Sequence, residues 1–353
     1  MKILYLAEAS SPHTRKWVQH FAKQGNEIHL ASLSNLPVEG ATIHPFWRPT
    51  GTKLDYIANI DRVRTLVKNL WPDVLHALYA TSYGLLGALT GFHPYVISVW
   101  GMDILNFPKT SPLHRRLLTW NLSKADVVCS TTYRMAKITE TFLEKGKKSV
   151  VTPGGVDLNV FHAITRKQDD RMTIGIIKHL EPKYGVEFLL RAFARVWKLN
   201  SNSKLLIVGS GSLRHRLERL SHDLKIKDRT QFIGWIPHVT VPSQLEAIDI
   251  FVNPSVDESE TFGVAVLEAS ATELPVIASN IGGLQDVVQD NVTGFLVPPR
   301  DVDALSKKLE ILMKDADLRQ KMGKAGRRFV QDHYEWNRIT KIMEGVYAPL
   351  FKT

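Results

Sequence analysis

The chain has a single cysteine, Cys129, in 353 residues. No intrachain disulfide framework can form, which fits a reducing compartment. Cys129 lies in the apolar run Val127-Val128-Cys129 and reads as a buried thiol rather than a nucleophile. Long apolar runs are lacking too. None approaches the roughly 18–20 residues that a membrane-spanning helix needs. Met1-Lys2 leads at once into Ile3-Leu4-Tyr5-Leu6-Ala7, which is short for a secretion signal and reads as a first strand. The expected location is the cytoplasm, with the inner face of a membrane as a peripheral alternative. There is no low-complexity tract and no short-period repeat. No His, Cys, Asp or Glu cluster has metal-ligand spacing, so no metal is expected to be required. Basic residues are spread without interleaved aromatics on one element, which argues against a nucleic-acid partner.

What is present is ordinary for a globular protein: 44 % hydrophobic and 23 % charged residues. The length suggests roughly two domains. Net charge is +10 and uneven, with 18 Lys/Arg against 11 Asp/Glu in residues 1–160. A basic N-terminal half suits an anionic partner, or is a solubility feature. Short apolar segments at 3–7, 27–31, 42–46, 73–77, 95–99, 126–130 and 150–152 read as strands. Helical patterns at 15–23, 55–70, 82–90, 112–123 and 134–144 separate them. The second half repeats this rhythm, with strands at 173–177, 204–208, 231–233, 250–252, 276–278 and 295–297. Helices such as 187–199, 213–222, 241–247 and 263–271 lie between them. Alternation of this kind argues for α/β architecture: two Rossmann-like, doubly wound parallel-sheet domains. Ligands of such sheets bind beyond the strand C-termini. The polar stretch 164–171 is the candidate linker.

The most informative run is Asn253-Pro254-Ser255-Val256-Asp257-Glu258-Ser259-Glu260-Thr261-Phe262-Gly263-Val264-Ala265-Val266-Leu267-Glu268-Ala269-Ser270. A strand stops at Asn-Pro-Ser, an acidic loop follows, and helical spacing begins near Gly263. The first amides of a helix form a cradle for phosphate. Glu260 and Glu268 flank that cradle. A carboxylate can accept two sugar hydroxyls; the alternative is that both are solvated charges.

Glu260 and Glu268, with Pro275-Val276-Ile277-Ala278-Ser279-Asn280-Ile281-Gly282-Gly283 and Gly294-Phe295-Leu296-Val297-Pro298-Pro299, resemble the donor-site signature of retaining glycosyltransferases of family 4. That resemblance implies the GT-B fold, whose two domains face each other across a cleft. It places an acceptor-binding domain at 1–163, a nucleotide-sugar-binding domain at 164–331, and a final helix (332–353) crossing back to the first domain. Glu260 would orient the transferred sugar and Glu268 the ribose. Phe262, Gly263 and Val264 would border the donor, as would Gly209 of the loop Val208-Gly209-Ser210-Gly211. Trp235 and Ile236 stand in the segment that borders the base. Gly154-Gly155-Val156-Asp157 and Phe161 resemble the family's interdomain signature, with a structural role.

Lys178-His179-Leu180-Glu181-Pro182-Lys183-Tyr184-Gly185 follows the first strand of the second half. Departing diphosphate needs counter-charge, which lysine supplies as a flexible point charge. The family pattern is Arg, four residues, Lys, Gly. Lys178 and Lys183 keep that spacing with Tyr184 inserted before Gly185. Counting from the glycine instead selects His179 and Tyr184. The lysines are preferred because they carry the cations.

The N-terminal half departs further from the family. Its first loop, Ala9-Ser10-Ser11-Pro12-His13, has no glycine. Ser10, Ser11 or His13 would face the acceptor or sugar, unless Ser11 simply caps a helix that begins at Pro12. Trp100-Gly101-Met102-Asp103 resembles His-Gly-x-Asp with tryptophan in place of the histidine. Asp103 holds either a substrate hydroxyl or its own turn. His76 reads as a core or rim histidine. In the helix 112–123, Leu113, Leu117 and Trp120 read by preference as the core face; the other reading is a basic helix lying on an anionic bilayer.

The expected activity is transfer, with retention, of a hexose-type sugar from a nucleotide sugar, UDP-linked by preference, to a sugar or lipid-linked hydroxyl. Surface polysaccharide or glycoconjugate synthesis would be its setting. No tightly bound cofactor is expected, and an anionic membrane surface is a candidate partner. The alternatives are a nucleotide-sugar epimerase of the same fold and a non-catalytic nucleotide-sugar or lipid-binding protein.

Overall fold

A computed structural model describes residues 1–164 and 171–351. The expected linker at 164–171 therefore lies, apart from its two end residues, outside the described residues. The backbone groups into two compact units. One is Met1–Gly154 together with the residues from Ile339 onward, and the other is Gly155–Arg338.

In the first unit β1 (Lys2–Leu6), β2 (Glu27–Ser32), β3 (Ala41–Pro45), β4 (Val74–Leu78), β5 (Tyr95–Val99), β6 (Val127–Ser130) and β7 (Val150–Val151) form one sheet. Its order is β3-β2-β1-β4-β5-β6-β7 and every pairing is parallel. Strands β1, β4 and β5 are buried almost throughout, which explains why their sequences are continuous apolar runs rather than alternating ones. Cys129 is fully buried on β6, and burial pushes its thiol up to about 12; as expected, it is a structural thiol.

The second unit holds β8 (Met172–Ile177), β9 (Ser203–Val208), β10 (Thr230–Gly234), β11 (Ile250–Asn253), β12 (Val276–Ser279) and β13 (Gly294–Val297). They run parallel in the order β10-β9-β8-β11-β12-β13. Along β9, Leu205 and Ile207 enter one core and Leu206 and Val208 the other. The period-2 alternation thus covers both faces. Strand order reverses between β8 and β11, so the crossovers leaving these neighbours diverge and open a crevice beyond their C-termini.

Two helix expectations are corrected. The pattern at 55–70 is not one helix but two, Leu54–Ala58 and Ile60–Leu70. Asn59 interrupts it because its amide donates to the carbonyls of Asp55 (2.6 Å) and Trp47 (2.7 Å) while accepting from the Trp47 N–H (2.8 Å). The helix Pro112–Ser123 turns a different face inward: Leu118, Asn121 and Leu122 are buried, whereas Leu113 and Trp120 are exposed.

The last helix, Trp336–Tyr347, ends on the first sheet. Tyr347 is fully buried, its hydroxyl 2.6 Å from His76 Nδ1 and 3.1 Å from the Tyr5 hydroxyl. His76 Nε2 is 2.8 Å from the Ser98 hydroxyl, and burial drives its pKa down to about 3. His76 is a core histidine.

Candidate active site

The reversal between β8 and β11 gathers the chemistry-bearing residues of the second unit. Lys178 is the first residue after β8, its N–H bonded to the Val208 carbonyl at 2.9 Å. Its ammonium lies 2.7 Å from Glu260 Oε2, with only 15 % and 8 % of the two side chains exposed. The Ser255 hydroxyl, held against Asn253 Oδ1 at 2.7 Å, is 2.9 Å from the same glutamate oxygen. Both of these contacts are to Oε2. One oxygen of Glu260 is thus fixed by a cation and a hydroxyl, and a carboxylate has two oxygens with which to accept.

Lys183 and Lys178 share a third neighbour. Their ammonium groups lie 4.8 and 4.7 Å from the centre of the Tyr184 ring, cation–π distance in both cases. The inserted tyrosine is therefore within cation–π reach of both lysines. His179 is exposed, with its ring 6.4 Å from that of Tyr184.

The loop carrying these cations is clamped on both sides. Glu181 accepts from the Ser212 N–H (2.8 Å) and hydroxyl (2.5 Å), which hold its carboxyl below the usual range. Leu180 and Ser210 pair through their backbones at 2.9 Å. Gly185 has φ +62°, and a Cβ there would stand 2.1 Å from the Pro254 carbonyl oxygen, so only glycine lets the loop lie against the one after β11.

Gly263 caps the helix Val264–Ala271 with φ +77°, and a Cβ there would meet Leu284 at 2.5 Å. Val264 and Ala265 are half-buried at the first turn, where helix amides are not used by the helix itself. Phe262 does not join them: its ring is turned into the core, 5.7 Å from that of Tyr334. Glu268 is buried on the same helix, and its Oε1 is 2.7 Å from His238 Nε2. Sequence reasoning missed His238. It follows Gly234-Trp235-Ile236-Pro237 directly, but its partner is thirty positions away in sequence. Trp235 is 68 % exposed, while Ile236 packs at the edge of the core. Gly209 binds the Gly234 carbonyl at 2.8 Å, joining those two loops.

In the first unit the expected acceptor-side residues separate. Ser11 caps the helix Pro12–Lys23, its hydroxyl accepting from the Thr14 N–H. The Ser10 hydroxyl donates to Glu8 at 3.0 Å. His13 is exposed and meets the Trp100 ring edge-on at 5.6 Å. Asp103 is fully buried, accepting from the N–H groups of Ala80 (2.8 Å), Gly101 (2.8 Å) and Trp100. Burial raises its carboxyl above the ordinary range and these N–H groups pull it back. It is a turn-holding group, with no surface left to offer a substrate hydroxyl. Among the described residues no group of three or more His, Cys, Asp or Glu side chains could hold a metal ion.

Residues 159–329 match the family described as glycosyl transferases group 1, and residues 2–132 match glycosyl transferase 4-like. A GDP-mannose-dependent alpha-(1-6)-phosphatidylinositol monomannoside mannosyltransferase of Mycobacterium tuberculosis is 32 % identical over 201 residues, 53 % of this chain and 52 % of that protein. N-acetyl-alpha-D-glucosaminyl L-malate synthase of Bacillus anthracis is 24 % identical over 95 % of this chain and 92 % of its own. The chain spans about half the length of the first curated relatives it matches. Among solved structures, sucrose-phosphate synthase from Thermosynechococcus elongatus has a TM-score of 0.83 at 20 % identity, covering 99 % of this chain and 98 % of that one. Anabaena HepE, in complex with UDP and glucose, has a TM-score of 0.81 at 18 % identity, with both chains covered in full (100 %). Two parallel-sheet α/β units and matches along both halves lead to one conclusion: the chain belongs to the group 1 glycosyl transferases and has the GT-B fold.

Proposed function

We propose that the protein transfers a hexose-type sugar from a nucleotide sugar to a hydroxyl of a sugar or lipid-linked acceptor, with retention of anomeric configuration. The observation that carries this reading is the Lys178–Glu260 pair at the β8/β11 reversal, with Glu268 in the second turn of the adjoining helix. Lys178 and Lys183 supply cations for the leaving diphosphate, with the first amides of the helix after Gly263. Arrival of the diphosphate gives Lys178 a second anion and releases Glu260 to take sugar hydroxyls. Glu268, steadied by His238, accepts from the ribose. In this reading the departing phosphate helps to take the acceptor proton on the same face of the sugar, and no enzyme nucleophile is needed.

UDP is the preferred nucleotide. GDP is the second reading, because relatives 32 % identical over about half of this chain (53 %) are named GDP-mannose-dependent. One relative above is named a mannosyltransferase and another a synthase, which favours transfer over epimerisation or binding alone. The test is nucleotide release and product anomer, followed for UDP- and GDP-sugars with a panel of sugar and polyprenyl-linked acceptors. Glu260→Gln should lower transfer at least about a hundredfold and leave the fold intact. Full activity in that variant removes Glu260 from the site, and an inverted product overturns the retaining mechanism.

A further inference from the structure

The helix Pro112–Ser123 exposes a stripe that its own core does not use. Leu113 is 72 % exposed, Trp120 38 %, and Leu117 is half-buried. Positions 113, 117, 120 and 124 follow helical spacing along one side, opposite the buried Leu118 and Leu122. Arg116 borders the stripe, and the Lys124 ammonium lies 5.5 Å over the Trp120 ring. Lys109, one turn upstream, is also exposed. From residue 104 to 137 there are six Lys/Arg and one acid, Asp126, which sits 2.8 Å from His93. Met102, after β5, and Tyr133, after β6, add exposed apolar surface. In a parallel sheet both of these segments, and the start of the 112–123 helix, lie at the C-terminal edge of the strands.

A helix face that served only to stay in water would carry charges of both signs. This one carries leucine, tryptophan and cations. Tryptophan and leucine flanked by Arg and Lys suit the boundary between lipid headgroups and acyl chains. A stable protein–protein interface needs a contiguous patch of roughly 800 Å² on each partner. A bilayer has no such requirement and supplies the opposite charge. We propose that Leu113, Arg116, Leu117, Trp120 and Lys124 dock the protein on an anionic lipid surface. Docking does not depend on the sugar donor, so it stands or falls apart from the catalytic reading.

The test is co-sedimentation of the full chain with vesicles of phosphatidylcholine alone or mixed with phosphatidylglycerol. The protein should pellet with the mixed vesicles and not with phosphatidylcholine alone. Arg116→Ser with Lys124→Ser, and separately Leu113→Ser with Trp120→Ser, should each weaken binding by about tenfold or more. Their melting temperatures are compared with wild type. If the second pair fails to fold, the first, which touches only exposed side chains, decides alone. The proposal is overturned if wild type stays in the supernatant with mixed vesicles or a folded variant binds as wild type does. Pelleting without vesicles overturns it too, because that marks a second copy as the occupant.

Discussion

Lys178 and Glu260 are an ion pair with most of both side chains out of water. Desolvation consumes most of the attraction in such pairs, and an apolar pair of similar volume often serves stability as well. Their position beside Tyr184 and Lys183 has a clearer rationale as a charge-balanced pocket for an anion. Lys183→Ala should lower turnover at least about tenfold, read as nucleotide release at saturating donor. Unchanged turnover would favour the register that selects His179 and Tyr184. In the proposed reading His238 acts through Glu268, 2.7 Å away, as a positioning residue. His238→Ala should raise KM for the donor by about fivefold to tenfold with kcat little changed, and His238→Gln, which can still donate, should restore most of it. Equal loss of kcat would assign His238 a different role.

At the scale of elements, the final helix is fastened by a buried polar chain: Tyr5, Tyr347, His76 and Ser98. The pH consequence has a definite sign. His76 is held neutral down to about pH 3 in the folded chain, while its unfolded value is about 6.5. Above 6.5 neither state takes a proton and the histidine is neutral to stability. Below it the unfolded chain binds a proton that the folded chain refuses. Stability is therefore lost as pH falls from 6.5 towards 3, by up to about 1.4 kcal/mol per pH unit. Urea unfolding at pH 7 and pH 5 should differ by about 2 kcal/mol more in wild type than in His76→Gln. An equal pH dependence in both would place the effect elsewhere. The same scale explains which elements were legible in the sequence. The strands were, because burial on both faces demands apolar runs that nothing else in the chain imitates. The break at Asn59 was not, since two of its three side-chain hydrogen bonds run to Trp47, twelve residues away. The inward face of the 112–123 helix was not either: Leu113, Leu117 and Trp120 have the same helical spacing as Leu118 and Leu122, and only the fold chooses between them.

For the whole molecule, the cluster around Lys178 and Glu260 was legible because short local motifs fall at the ends of two strands that the sheet order makes neighbours. The residues expected on the acceptor side were not. Ser11 is a cap and Asp103 a turn, roles that spacing alone left open beside the substrate-binding ones. Glu268 was legible and its partner His238 was not, since a pair thirty residues apart leaves no local pattern. The central claim is that the second unit binds a nucleotide sugar at the loops after β8 and β11. Thermal unfolding of the full chain with UDP-, GDP- and ADP-sugars tests it most directly, with wild type beside Glu268→Ala. A ligand at a hundred times its Kd adds about 2.7 kcal/mol, a rise of several degrees in Tm. One nucleotide family should raise Tm in wild type, and the rise should shrink in Glu268→Ala. If no nucleotide sugar moves the wild-type transition, or the variant responds as wild type does, the site is not where it has been placed.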